Sequence, residues 1–124
     1  MSRVKSRDTG PEMTVRRLTF AMGFRYLLHD ARLPGKPDLV FPGRRKAIFV
    51  NGCFWHGHSR CRYARLPKSR IDYWQPKIAR NRERDRENRA ALKKLGWKTL
   101  TVWQCELKNI GRTTRKIYDF LQQN

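Results

Sequence analysis

The sequence predicts an α/β (α+β) domain, a mixed central sheet flanked by helices. Short apolar runs punctuated by Gly and Pro alternate with longer segments of helical periodicity. Their order reads α-β-β-β-α-β-α, and neither an internal repeat nor a linker interrupts it. At 124 residues the chain fits one domain, 1–124, with room for a modest core.

Residues 1–8 are basic and polar and read as an N-terminal arm. A helix is expected to follow. Thr9 can cap it, Pro11 suits its first turn, and Glu12 stands where a capping box needs it. Val15, Leu18, Ala21 and Met22 recur at helical spacing until Gly23 stops the run. Residues 24–28 read as a short strand. The turn-rich 33–37 then delivers a second strand, 38–41, that opens on Asp38. After another turn, 47–50 is the most apolar run of the chain and is expected to be a central strand. Residues 71–74 form an aromatic patch. A long polar helix is expected from about Pro76 to Leu95, stopped by Gly96, with Ile78, Ala90, Ala91, Leu92 and Leu95 as its sparse apolar positions. Residues 98–103 read as a strand and 114–121 as an amphipathic helix.

Charge narrows the function. Lys and Arg total 29 against 10 Asp and Glu, a formal net charge of +19. Such self-repulsion is offset by binding a polyanion, with release of condensed counterions. Nucleic acid fits better than an acidic membrane surface. No apolar run approaches the roughly 20 residues of a membrane span, and no secretion signal opens the chain. A purely ribosomal type of basic protein would carry no chemistry.

Residues 51–61 argue for chemistry. They hold two of the three cysteines, two of the three histidines and the pair Phe54-Trp55. An odd cysteine count beside histidines reads as metal ligation in a reducing cytosol rather than as disulfides. Cys53, His56, His58, Cys61 and Cys105 are five candidates for the four positions of a structural zinc. If His56 is the one left over, its imidazole is available as a base. Asp38, at a strand start, suits a hard cation such as magnesium, with the Val50 carbonyl as a second oxygen donor. An imidazole alone supplies about 10²–10⁴-fold of rate. Phosphodiester cleavage by His56 would therefore need Asp38 and a metal beside it.

At these residues the chain resembles the very short patch repair (Vsr) endonucleases, a family of bacterial DNA mismatch nickases. The resemblance runs in order through 7–12, 33–38 and 48–56, then Lys77-Ile78 with Asn81, 83–86, 95–97 and 102–105. It implies a fold like that of type II restriction endonucleases with a structural zinc. It further implies magnesium-dependent nicking of the thymine strand at T·G mismatches left by 5-methylcytosine deamination. Carried over, Asp38 and the Val50 carbonyl hold magnesium, His56 is the general base, and Glu12 supports the site through hydrogen bonds. Cys53, His58, Cys61 and Cys105 bind zinc. Phe54 and Trp55 form a wedge in the base stack, assisted by Met1, while Lys77 and Asn81 approach the mismatched pair. A monomer in the bacterial cytoplasm, at the nucleoid and working with mismatch-repair proteins, is implied.

One departure stands out. Asn51 occupies a position where some family members have a second active-site histidine, and an amide cannot donate a proton as a general acid. It can instead hydrogen-bond the scissile phosphate. Two other readings share these residues: a restriction-type nuclease acting on matched duplex, and a zinc-stabilised DNA-binding module without catalysis. A core role for Phe54 or Trp55 is the plain alternative to the wedge.

Overall fold

The computed structural model describes residues 9–123. Helix α1 (Gly10–Ala21) is followed by strands β1 (Leu27–Leu28), β2 (Leu39–Phe41) and β3 (Lys46–Asn51). Helix α2 (Ile71–Lys94), strand β4 (Lys98–Trp103) and helix α3 (Ile110–Gln122) complete the order expected from sequence. The four strands form one sheet in the order β1-β2-β3-β4. The first three are antiparallel neighbours, and β4 runs parallel to β3. A parallel pair needs a crossover, which α2 supplies.

One face of the sheet carries the main core. Val15 of α1 and Ile117 and Leu121 of α3 pack with Leu39, Phe41, Ile48 and Val102 of the sheet and with Phe24. The alternation of β3 explains the choice of face: Ile48 and Val50 face this core, while Phe49 and Asn51 face Asp85 and Arg89 of α2. Charge is used within this core's border. Lys46 is buried, and its ammonium donates to the carbonyls of Phe120 and Gln123 at the end of α3.

The stops of α1 and α2 both work through glycine. Gly23 and Gly96 have φ of +93° and +87°. Phe24 N–H then reaches the Thr19 carbonyl and Trp97 N–H the Leu92 carbonyl, the six-to-one closure of a Schellman cap. That cap shortens β1 relative to the expected 24–28. Phe24 is drawn into the core as part of the cap, and only the exposed Leu27-Leu28 remains to pair at the sheet edge.

One cap and two helix starts differ from expectation for local reasons. Thr9 Oγ1 accepts from Glu12 N–H at 3.3 Å, half of the expected capping box, while the Glu12 carboxylate turns inward to Arg16 and His29. Helix α2 begins at Ile71, so Pro76 lies inside it. Pro76 is on the exposed side, where water can satisfy the carbonyl that its missing N–H leaves. Helix α3 starts earlier than expected because Asn109 Oδ1 caps it, accepting from Arg112 N–H at 3.0 Å.

Helix α2 is held by few apolar contacts: only Ile78 and Leu92 are buried, whereas Ala90 and Leu95 are exposed. Leu92→Ala is therefore expected to cost about 2–5 kcal/mol. Leu95→Ala, on the surface, should stay within about 0.5 kcal/mol. Urea unfolding of both variants checks this, and equal losses would misplace the α2 interface.

Candidate active site and metal centre

The parallel register sets the site. Asn51 pairs with Trp103 at the level ends of β3 and β4. Cys53 and Cys105 each lie two residues beyond that pair, so the chain exits bring them side by side. Cys105 N–H donates to Cys53 Sγ at 3.4 Å. The loop after β3 folds back, with His58 N–H on the Cys53 carbonyl at 3.0 Å, and adds His58 and Cys61. One donor atom each from Cys53, His58, Cys61 and Cys105 lies within 4.8 Å of the others.

This set has the chemistry of a tetrahedral soft-metal centre. Zinc bonds of about 2.3 Å to sulfur and 2.0–2.1 Å to nitrogen place an S and an N roughly 3.5 Å apart. Cys105 Sγ and His58 Nδ1 are 3.5 Å apart. Burial pushes the Cys53 thiol up to about 12, raises Cys105 as well, and lowers His58. The imidazole is thus a neutral donor, and the crowded thiols need a cation before they can become thiolates. Trp103 stacks on His58 at 4.0 Å with the planes 6° apart, fixing the ring. Of the five candidate ligands, His56 is not in this group.

Instead, His56 faces a cleft on the other side of the loop. Its Nδ1 is 2.6 Å from Asp85 Oδ2 of α2. A carboxylate accepts, so Nδ1 carries a hydrogen and Nε2 is the nitrogen turned away from Asp85. The cleft has two lobes of about 510 and 520 Å³, and Asp38, Val50 and His56 line both. Glu12 and Asn81 border the first lobe; His29, Lys36, Asn51 and Asp85 border the second.

Asp38 is held at the sheet end by its neighbour strand, since Oδ2 accepts Val50 N–H at 2.7 Å. Burial pushes the Asp38 carboxyl up to about 6; the Val50 hydrogen bond opposes that rise and the Glu12 charge adds to it. Such a carboxylate, desolvated beside a second acid, suits a hard divalent cation. Tight backbone frames it. Gly35 has φ +79°, and a Cβ there would lie 2.9 Å from Asn88 Cβ. Lys36 and His29 adopt left-handed φ of 47° and 46° without being glycine.

Beside the cleft lies an aromatic cluster. Trp55 and Phe54 both meet Trp74, with ring centroids 5.4 and 5.2 Å away, and Tyr73 meets Trp74 at 5.0 Å. Neither Phe54 nor Trp55 is in the core, and Trp55 is 37% exposed. Asn81 Nδ2 donates to the Trp55 carbonyl at 2.8 Å, which ties the loop to α2. Lys77 Nζ lies 5.2 Å over the Tyr73 ring. Met1 and the rest of the arm 1–8 lie outside the described residues.

Two residues of the cleft were not singled out from sequence. Asp85 stands there only inside the matching segment 83–86, with no role of its own. The available signal was spacing: Ile78, Asn81, Asp85, Asn88 and Leu92 fall on one inward stripe of α2. His29 carries no comparable signal, because its position depends on a left-handed turn at the sheet edge.

Comparison with known proteins gives a family and a fold. A family model described as DNA mismatch endonuclease Vsr matches residues 1–62. A type II nicking enzyme of Xanthomonas oryzae pv. oryzae is 51% identical over 121 residues, 98% of this chain and 88% of that protein. The DNA mismatch endonuclease Vsr of Escherichia coli is 40% identical over 114 residues, 92% of this chain and 72% of that protein. Among solved structures, the catalytic domain of the homing endonuclease I-Bth0305I matches with a TM-score of 0.61 at 21% identity. That match covers 91% of this chain and 94% of the other, and it is a likeness of fold.

The raised Asp38 carboxyl has a stability consequence. Between the ordinary carboxylate range and about pH 6, the folded protein holds a proton that the unfolded chain has lost. Stability without a cation therefore falls as pH rises through that window and stays lower above it. Asp38→Asn keeps an acceptor for Val50 N–H and removes the charge. In magnesium-free buffer at pH 7.5 it is expected to gain roughly 2–3 kcal/mol in urea unfolding. The gain should shrink toward pH 5, and a variant less stable than the parent at pH 7.5 would contradict the burial argument.

Proposed function

The chain belongs to the Vsr family of DNA endonucleases, and from that premise we propose that it nicks the thymine-bearing strand at T·G mismatches produced by 5-methylcytosine deamination. The observation that carries this reading is the His56–Asp85 pair facing Asp38 across one cleft, beside an exposed aromatic cluster.

The chemistry follows from the charges. Asp38 Oδ2 is engaged by Val50, so Oδ1 and the Val50 carbonyl are the oxygens that would hold magnesium. When bound, magnesium supplies Lewis acidity to the phosphoryl oxygens and stabilises the charge that develops there. His56 Nε2 takes the proton of the attacking water, and Asp85 holds the ring in that tautomer and stabilises the imidazolium. Asn51 borders the second lobe and would hydrogen-bond the phosphate. Cys53, His58, Cys61 and Cys105 would hold a structural zinc whose contribution, about 10–16 kcal/mol in small peptides, stiffens the loop that carries His56.

Recognition uses the same loop. Phe54 and Trp55 enter the base stack, with Trp74 behind them. A wobble pair costs less to unstack than a matched pair. Base–aromatic stacking returns roughly 1–3 kcal/mol per base. A groove of about 240 Å³ beyond His56, lined by Arg82, Arg86 and Arg89, gives the flanking phosphates a cationic wall. One active site suffices for a nick, so a monomer is adequate. No helix among the described residues is long and apolar enough to cross a membrane.

The test is strand-resolved cleavage of T·G, T·A and C·G duplexes with magnesium or without divalent cations. Cutting of the thymine strand at T·G alone is expected; equal cutting of matched duplex would select a restriction-type nuclease, and binding without cutting a non-catalytic module. Asp38→Ala and His56→Ala should each lower nicking by at least about 100-fold while DNA binding persists. Near-parent rates would remove the residue from the reaction. Trp55→Ala should weaken mismatch binding by about 1–3 kcal/mol more than matched binding. Cys105→Ala should lower zinc content and unfolding temperature together; full zinc occupancy in that variant would exclude Cys105 from the shell.

A further inference from the structure

Three donors from three elements converge at the rim of the cleft: Glu12 of α1, His29 just past β1, and Asp38 just before β2. One ligand atom from each lies within 4.8 Å of the others. His29 Nε2 is 2.5 Å from Glu12 Oε2 and 3.8 Å from Asp38 Oδ1. Glu12 is almost fully buried, and His29 Nδ1 is buried with no hydrogen-bond partner among the described residues. His29 reaches this place only through a left-handed backbone, φ 46°, a conformation that costs a non-glycine residue on the order of 1 kcal/mol. A main-chain bond, His29 N–H to the Asp38 carbonyl at 3.4 Å, holds the two residues in step.

A plain helix-to-sheet ion pair would need one carboxylate. Here two carboxylates share one imidazole, and the Asp38 oxygen nearest that ring, Oδ1, is not the one that Val50 engages. We propose that His29 is a nitrogen donor to the catalytic divalent cation, and that the Glu12–His29–Asp38 set favours manganese over magnesium. The proposal rests on the nuclease reading, since that reading places a cation on Asp38. Magnesium takes oxygen donors and dehydrates reluctantly, whereas the first-row transition ions also accept nitrogen; manganese, the most oxygen-preferring of them, suits a site of carboxylates with one imidazole. The geometry needs the Arg16 guanidinium, which also holds Glu12 Oε2, to give way, and otherwise only small shifts. An octahedral shell with bonds of about 2.1 Å sets neighbouring donors roughly 3 Å apart. The Glu12–His29 separation opens slightly and the Asp38–His29 separation closes slightly to reach it.

Pulsed electron paramagnetic resonance of the zinc-loaded, full-length protein titrated with manganese(II) tests this without reference to activity. The parent is expected to show hyperfine coupling to one directly bound nitrogen. His29→Gln should lose that coupling and bind manganese at least about tenfold more weakly, while its magnesium affinity, measured by competition, changes much less. His56→Gln should keep the coupling. A parent spectrum without bound nitrogen overturns the proposal whatever the variants do. So does a His29→Gln variant with unchanged manganese affinity, or coupling lost in His56→Gln instead. Nicking of the T·G duplex by the parent, in magnesium and in manganese, is scored separately. A bound nitrogen with no cutting under either ion sinks the nuclease reading and leaves the site standing, whereas cutting without bound nitrogen does the reverse.

Discussion

The parallel pairing of β3 with β4 fixes where every reactive group ends up. Six register pairs run from Lys46–Lys98 to Asn51–Trp103, so the two strands finish level and their chains leave the sheet together. Equal overshoot makes Cys53 and Cys105 neighbours across 52 residues of sequence. The loop that returns to this corner must then present His56 toward α2, where Asp85 meets it. On the other edge of β3, antiparallel pairing of Leu39 with Ile48 sets Asp38 beside Val50. A one-residue slip of β3 would turn Ile48 and Val50 away from the core and break both corners at once.

The site gains its reactivity at a cost to the fold. Asp38 is a desolvated carboxylate beside a second acid, the reverse of what stability alone would select. A crowded thiol group and two non-glycine residues in left-handed conformations lie within the same region. Such strain persists when the surroundings over-determine it, and here a bound ion in the sulfur centre would supply much of that determination. With metal bound, both clusters would serve one purpose: to hold charges that the protein could not otherwise keep close together.

Much of this was legible in the sequence because the signals were local. Helical and strand periods, two Gly stops and the Pro-rich approach to Asp38 gave the order of elements and the mixed sheet. The dense run 51–61 announced a centre, but its distant member, Cys105, becomes a neighbour only through the strand register. What stayed hidden was non-local or conformational. Asp85 lies among Arg84, Arg86 and Arg89, and only the stripe it shares with Ile78 and Leu92 turns it inward. His29 sits in a left-handed turn that no spacing rule foretells. The start of α2 was missed because Pro76 is tolerated on the exposed side of the helix.

The central claim is that an imidazole oriented by Asp85 works across the cleft from a cation held by Asp38. Single-turnover nicking of a T·G duplex by Asp85→Asn tests it most directly, because that variant keeps the size of the partner and removes the carboxylate. The expected result is a fall of at least about 100-fold in the cleavage step with duplex affinity unchanged. A rate within a few-fold of the parent would show that His56 does not depend on Asp85, and the proposed chemistry would have to be rebuilt around another base.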